Sequence, residues 1–162
     1  SAFGLSQNLN ISRTDAKFII DSYFEQYPTI KTYMEKTIGL ARDKGYVETI
    51  MKRRRYLPDI NSANAVVRGY AERNAINAPI QGSAADIIKM AMVAVHKAME
   101  KEKVKSKMIL QVHDELVFDA VESELPALKE LILNCMTGAM ILPNGVPVEA
   151  EIGVGKNWLE AH

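Results

Sequence analysis

The stretch "KMILQVHDELVFDA", residues 107–120, decides how the second half of the chain is read. Met108, Leu110 and Val112 alternate with Ile109, Gln111 and His113. Leu116, Phe118 and Ala120 then alternate with Val117 and Asp119. Period-two alternation of this kind predicts two strands, over 106–112 and 115–121. Strands so close in sequence cannot be parallel, because a parallel pair needs a long crossover. They are expected to form an antiparallel hairpin with His113, Asp114 and Glu115 at its tip.

Outward from the hairpin, helical patterns dominate. Ser83 and Asp86 resemble a capping box opening a helix whose stripe is Ile88, Ala91, Met92, Val95 and Met99. Ile87, Met90 and Ala94 make the next face apolar too, which predicts deep burial. A preceding helix is expected from about residue 65 to 77, with Pro79 and Gly82 bending or breaking it. A helix is expected over 123–136 with Leu125, Leu128, Ile132 and Cys135 inward, and a last strand over 148–154 from its alternation. Near the start, Ser12 with Asp15 caps a helix through Tyr27. Pro28 interrupts it, and a second helix runs to a stop at Gly45. The fold class read from this is α+β: helices, followed by a helix-backed antiparallel sheet. The division is placed near residue 65, giving segments 1–65 and 66–162.

The 162 residues carry 48% hydrophobic and 25% charged side chains, ordinary for a globular chain with a normal core. Twenty basic and twenty acidic residues cancel, so net charge selects no partner. One cysteine, Cys135, excludes an internal disulfide framework and fits a reducing compartment. No apolar run approaches a membrane span, so no membrane partner is expected. The opening "SAFGLSQNL" begins as if inside a helix, and the chain is read as a fragment of a longer protein.

Three features carry chemistry. Adjacent carboxylates at one tip repel, and a cation relieves that repulsion. Mg²⁺ takes hard oxygen ligands, often one or two carboxylates with water and phosphate. Taken alone, "HDE" fits a solvated acidic turn at least as well. The second feature is "RNAINAPIQG", where Arg73, Asn77 and Gln81 recur every four residues. On a helix these donors share a side, and every base pair offers minor-groove acceptors. Gln111 adds a similar donor beside the hairpin tip. Ordinary capping and loop satisfaction account for each singly. The third is "MKRRRYLPD", a basic block with Tyr56 that suits phosphate contact, with Arg68 and Arg73 able to extend it. By itself it reads as a solvated charged loop.

"LQVHDELVF", "AERNAINAPIQGSAADIIKMAM", "YVETIMKRRRYLPDINSAN", "SAFGLSQNL" and "VGKNWLEAH" together resemble the bacterial family A DNA polymerases over essentially the whole chain. The first is similar to that family's third polymerase motif, a strand–turn–strand of the palm. The resemblance implies a partial polymerase palm, with 1–65 the carboxyl-terminal part of the fingers and connection, and 66–162 the palm portion. It implies that Asp114 is a catalytic metal ligand and Glu115 an auxiliary one, in a two-metal Mg²⁺ site. His113 and Gln111 would lie near the primer terminus. Arg73 and Gln81 would contact the minor groove and backbone at the terminal base pair, Asn77 the template side, and Arg53 and Arg54 DNA phosphates. The implied partners are primer–template DNA, dNTP and the remainder of the polymerase chain. The implied setting is replication and repair in the bacterial cytoplasm, at the nucleoid.

The family's first motif, an aspartate on a separate strand, has no counterpart here, and the nucleotide-binding fingers helix is missing apart from its trailing end. The fragment alone is therefore expected to be inactive. Two other readings stay open: a divalent-metal nuclease, and a non-catalytic nucleic-acid-binding module on a palm-like fold.

Overall fold

The computed structural model describes residues 1–161 and resolves into two compact units. One comprises Ser1–Glu48 with Arg54–Pro79, the other Thr49–Arg53 with Ile80 onward. This division by packing differs from the division near residue 65 that was drawn from the pattern of segments. Among the described residues, no helix is long and apolar enough to cross a membrane.

The first unit opens with α1 (Ala2–Leu9), α2 (Arg13–Gln26) and α3 (Pro28–Lys44). The Ser12 hydroxyl accepts the Asp15 N–H at 3.0 Å and donates to the Asp15 carboxylate at 2.7 Å, so Ser12 caps α2 as expected, through its side chain. Pro28 sits in the first turn of α3, where its missing N–H costs nothing. Gly45 ends α3 at φ 76°, a conformation that a Cβ disfavours. The short strands β1 (Tyr46–Glu48) and β2 (Arg54–Tyr56) pair antiparallel. Ala41, Val47, Leu57, Ile60, Ala71, Ala75 and Ala78 form the core. Four of these seven are alanines, which let α3 and the following helix lie close. Ala16 of α2 and Thr37 of α3 are buried too, but much of the remaining apolar surface of these helices is not. Phe18, Ile19, Tyr23, Tyr27, Ile30 and Tyr33 remain substantially exposed.

The helix α4 (Ala65–Lys101) is one continuous element of 37 residues with Pro79 inside it. The expected break at Pro79 and Gly82, and the new helix start at Ser83, do not occur. The reason is tertiary. The Ile50 N–H donates to the Ser83 hydroxyl at 2.9 Å. Arg53 donates from Nη2 to the Gly82 carbonyl at 3.0 Å and from Nε to Asp86 Oδ1 at 3.0 Å. Gly82 is the contact point of this loop: a Cβ there would lie 2.6 Å from Thr49 Cγ2. Residues that look like helix punctuation are instead a docking face, and those ties outweigh local propensity.

In the second unit, β3 (Lys107–Val112) and β4 (Glu115–Asp119) form the expected antiparallel hairpin. The register slips between Met108 and Leu110, so Ile109 is bulged and 59% exposed. A 3₁₀ turn at Glu122–Glu124 leads into α5 (Leu125–Thr137). Val95 and Met99 of α4 and Leu128 and Ile132 of α5 form the core, with Met108 and Phe118 of the hairpin and Ile152 packed against it. This is the helix-backed antiparallel sheet of an α+β fold. The stripe of α4 is buried at Ile88, Ala91, Val95 and Met99, but on the neighbouring face Ile87 and Ala94 are half-buried and Met90 is exposed, so the deep burial expected there is not found. The strand expected over 148–154 joins no ladder. Its alternation survives as half-burial of Val148, Ala150 and Ile152, without a partner backbone to pair with. The described residues end in a helical turn, α6 (Trp158–Ala161).

Glu124 pins the entry to the hairpin. Its carboxylate accepts the Lys105 N–H at 3.0 Å, and the Ser106 N–H at 2.9 Å and hydroxyl at 2.7 Å. Ser106 is buried and its hydroxyl in turn accepts the Val121 N–H at 2.9 Å. The Lys105 backbone bond, then the Ser106 bonds, hold the Glu124 carboxyl below its ordinary range. A carboxyl lowered in the folded state adds stability above its unfolded pKa, and that stability is lost as pH falls through the folded value. Glu124→Gln is therefore less stable than the parent near pH 7. The gap narrows as pH drops below the ordinary glutamate range, around 4. Urea titrations at several pH values measure it, and a gap independent of pH would contradict the assignment.

Candidate catalytic hairpin and polar helix face

His113 and Asp114 form the two-residue turn of the hairpin, and Val112 pairs with Glu115. His113 has φ 54°, a left-handed conformation unusual for a residue with a Cβ. Such a residue costs of order 1 kcal/mol and persists where its surroundings hold it. Here the Gln111 side-chain amide donates to the His113 carbonyl, bracing the turn from the preceding strand. Gln111 is thus brought to the tip as expected, with one donor committed to the backbone.

His113 and Asp114 are exposed and Glu115 is half-buried. The Asp114 carboxylate makes no hydrogen bond or ion pair among the described residues. An exposed, uncommitted carboxylate on a braced turn, next in sequence to a second carboxylate, is a hard-oxygen donor set held in place. Among the described residues no group of three or more His, Cys, Asp or Glu side chains gathers into a metal cage. Two carboxylates suit an ion that takes its other ligands from water and phosphate.

One feature of the tip was not anticipated from sequence. Val112, His113, Asp114, Glu115, Trp158 and Leu159 line one shallow depression. The terminal turn therefore stands beside the carboxylates. The signal available was "NWLE", an Asn followed three residues later by Glu, which is the pattern of a capped helical turn.

Arg73, Asn77 and Gln81 are all exposed on α4. With the helix unbroken, their four-residue spacing carries them along one side of it. Arg73 stacks over Tyr70, with its guanidinium carbon 5.9 Å from the ring centre. The side chains of Asn77 and Gln81 have no partner among the described residues. The basic block is less free than its composition implies. Arg54 pairs with Glu48 at 3.0 Å and lies 4.4 Å from the Tyr46 ring centre, and the Glu48 bond raises its pKa. Arg55 bonds Asn74 Oδ1 at 3.3 Å. Arg53 is paired with Asp86 at 2.9 Å. The Asp86 carboxyl is held below its ordinary range by the Thr49 hydroxyl, against its burial, with Arg53 and Lys89 adding to the lowering. Arg68 bonds the Ser62 carbonyl at 2.8 Å.

Comparisons with known proteins identify the family of the chain. The model of DNA polymerase family A matches residues 1–160. DNA polymerase I of Streptococcus pneumoniae is 55% identical over 161 residues, 99% of this chain and 18% of that protein. DNA polymerase I of Pseudomonas aeruginosa is 48% identical over 162 residues, again 18% of that protein. A solved structure of the POL domain of Pol1 from M. smegmatis, in complex with DNA primer-template and dNTP, superposes with a TM-score of 0.94. It is 45% identical, and the match covers 99% of this chain and 28% of that one. The chain thus spans under a fifth of the length of these curated relatives. A match along nearly the whole chain, at this identity and with this superposition, has one meaning: the chain belongs to DNA polymerase family A.

Proposed function

We propose that this chain supplies part of a two-metal nucleotidyl-transfer site within a longer DNA polymerase, acting on primer–template DNA and dNTP in replication and repair. The observation that carries the reading is the uncommitted Asp114 carboxylate on a braced two-residue turn, with Glu115 beside it. Residues 1–65 then belong to the carboxyl-terminal part of the fingers and their connection, and 66–162 to the palm. The solved relative that was captured with primer-template and dNTP supports the choice of partners.

Asp114, with Glu115 as auxiliary, would hold Mg²⁺. When bound, the metal supplies charge neutralisation and activation of an oxygen for phosphoryl transfer. The protein's own work is positional. Gln111 holds the turn, the turn presents Asp114, and His113 and Gln111 lie at the primer terminus. Arg73, Asn77 and Gln81 offer donors to minor-groove acceptors that every base pair presents, so they test pair shape without reading sequence. Arg53 and Arg54 retain half-exposed side chains within their ion pairs and face the DNA backbone. Two carboxylates leave the donor set short of a complete two-metal site, so the missing ligand comes from the remainder of the polymerase chain. The exposed apolar residues of α2 and α3 fit that partner as well. The site acts in the bacterial cytoplasm at the nucleoid, and the 162-residue chain by itself does not polymerise.

The reading is tested on Arg73→Ala and Gln81→Ala in the complete polymerase. Both variants slow extension, and both lose part of the discrimination between matched and mismatched primer ends. Each lost hydrogen bond to a charged or polar edge corresponds to roughly a tenfold effect. Unchanged extension from both kinds of end would remove the minor-groove role.

A further inference from the structure

The terminal turn is built more firmly than its length suggests. Asn157 Oδ1 accepts the Glu160 N–H at 3.1 Å. The Glu160 carboxylate accepts from Asn157 Nδ2 at 2.7 Å and from the Lys156 N–H at 3.0 Å. These reciprocal bonds close the turn on itself. The turn also lies directly on the segment that precedes it. A Cβ at Gly153 would run into the Ala161 carbonyl, and one at Gly155 would lie 2.5 Å from Glu160 Cβ. Two glycines thus permit backbone contact that no other residue would.

The result is that Trp158 and Leu159, 48% and 89% exposed, flank the depression whose other wall is His113, Asp114 and Glu115. What matters is not their exposure but their place: both line the same depression as the carboxylates. The depression joins an aromatic and aliphatic wall to a pair of carboxylates. A ligand that fits it has a flat apolar ring face at one end and oxygen-rich, metal-seeking groups at the other. A nucleotide has that form. Aromatic side chains stack on any base, without sequence preference.

We infer that Trp158, backed by Leu159, is a positioning platform that packs against the sugar–base face of the terminal primer nucleotide while Asp114 engages its reactive end. This rests on the proposed polymerase function. The clasp of Asn157, Glu160, Gly153 and Gly155 holds the platform in place.

Two measurements test it together. In the complete polymerase, Trp158→Ala slows primer extension about tenfold, the scale of one lost base–aromatic stack. Trp158→Phe restores most of the rate, and the melting temperature of the Ala variant stays that of the parent. Glu160→Ala, which opens the clasp, repeats the Trp158→Ala effect. In the 162-residue chain, Trp158 is the one tryptophan, so its emission reports on the depression directly. Emission responds to a primer–template with an open 3′ end and not to a closed DNA hairpin lacking one. Parent extension with an unaffected Trp158→Ala variant overturns the platform alone. A Phe variant as slow as Ala, with both melting early, makes Trp158 a folding residue and overturns it too. If the parent does not extend but Trp158 emission responds to open ends, the platform stands and the polymerase reading falls. If neither responds, both fall.

Discussion

Asp114→Asn in the complete polymerase lowers turnover by about a thousandfold while primer–template affinity stays near that of the parent. The magnitude follows from the role. A metal-ligating carboxylate is worth several kcal/mol of charge stabilisation in phosphoryl transfer, and about 4 kcal/mol corresponds to a factor of a thousand. The fold has no stake in this side chain: Asp114 is exposed and makes no hydrogen bond or ion pair among the described residues. Its amide replacement is nearly isosteric, so the variant keeps its melting temperature. With DNA affinity resting on the proposed phosphate contacts elsewhere, binding and chemistry are expected to separate. Single-turnover extension with a matched binding isotherm measures both. A variant with normal turnover would remove Asp114 from the metal site. A variant that loses binding in proportion to rate would make the hairpin a DNA-binding loop rather than a metal site.

Arg53→Ala has the largest expected effect on stability, a loss of about 2 kcal/mol. Asp86 is only 9% exposed, and Arg53 supplies its ion pair as well as a bond to the Gly82 carbonyl. Removing one partner of a buried pair costs several kcal/mol, because the other charge stays behind. The figure is reduced here because the Arg53 side chain is 53% exposed and solvent screens the pair. Arg53→Ala with Asp86→Ala recovers part of the loss, since no charge is then stranded. Denaturant midpoints of the parent, both single variants and the double variant complete the cycle. An Arg53→Ala chain as stable as the parent would mean that loop 49–53 is not held to α4 by this pair. The same variant, with Arg54→Ala, tests the DNA role separately. Each lost phosphate contact flattens the log–log salt dependence of binding by about 0.9. A slope that does not move would leave the two arginines with their intramolecular partners alone.

Local signals told the truth where the structure is local. Ser12 and Asp15 cap α2, Pro28 opens α3, Gly45 closes it, and the alternation around Asp114 becomes a hairpin. The placement of His113, Asp114 and Glu115 at its tip was legible for the same reason. A two-residue turn brings them together without help from distant segments. Reading failed where distant partners decide. Pro79 and Gly82 are strong breakers by local rule, yet α4 runs through them, tied by residues some thirty positions earlier in the chain. Residues 148–154 alternate like a strand, but a strand exists only with a second backbone to pair with. The arginines read as an open basic block because their carboxylate partners, Glu48 and Asp86, lie outside the block in sequence. Trp158 was passed over because nothing in a short tail indicates that it turns back beside a hairpin over forty residues away.

Asp114 and Glu115 are proposed as part of a nucleotidyl-transfer site that another segment completes. The direct measurement is primer extension with Mg²⁺ and all four nucleotides, using the purified 162-residue chain, with and without a separately made amino-terminal piece of the polymerase carrying the first-motif aspartate. Extension in the mixture, and none by either piece alone, is the expected result. Extension by the 162-residue chain alone would contradict the account, because its own carboxylates would then suffice.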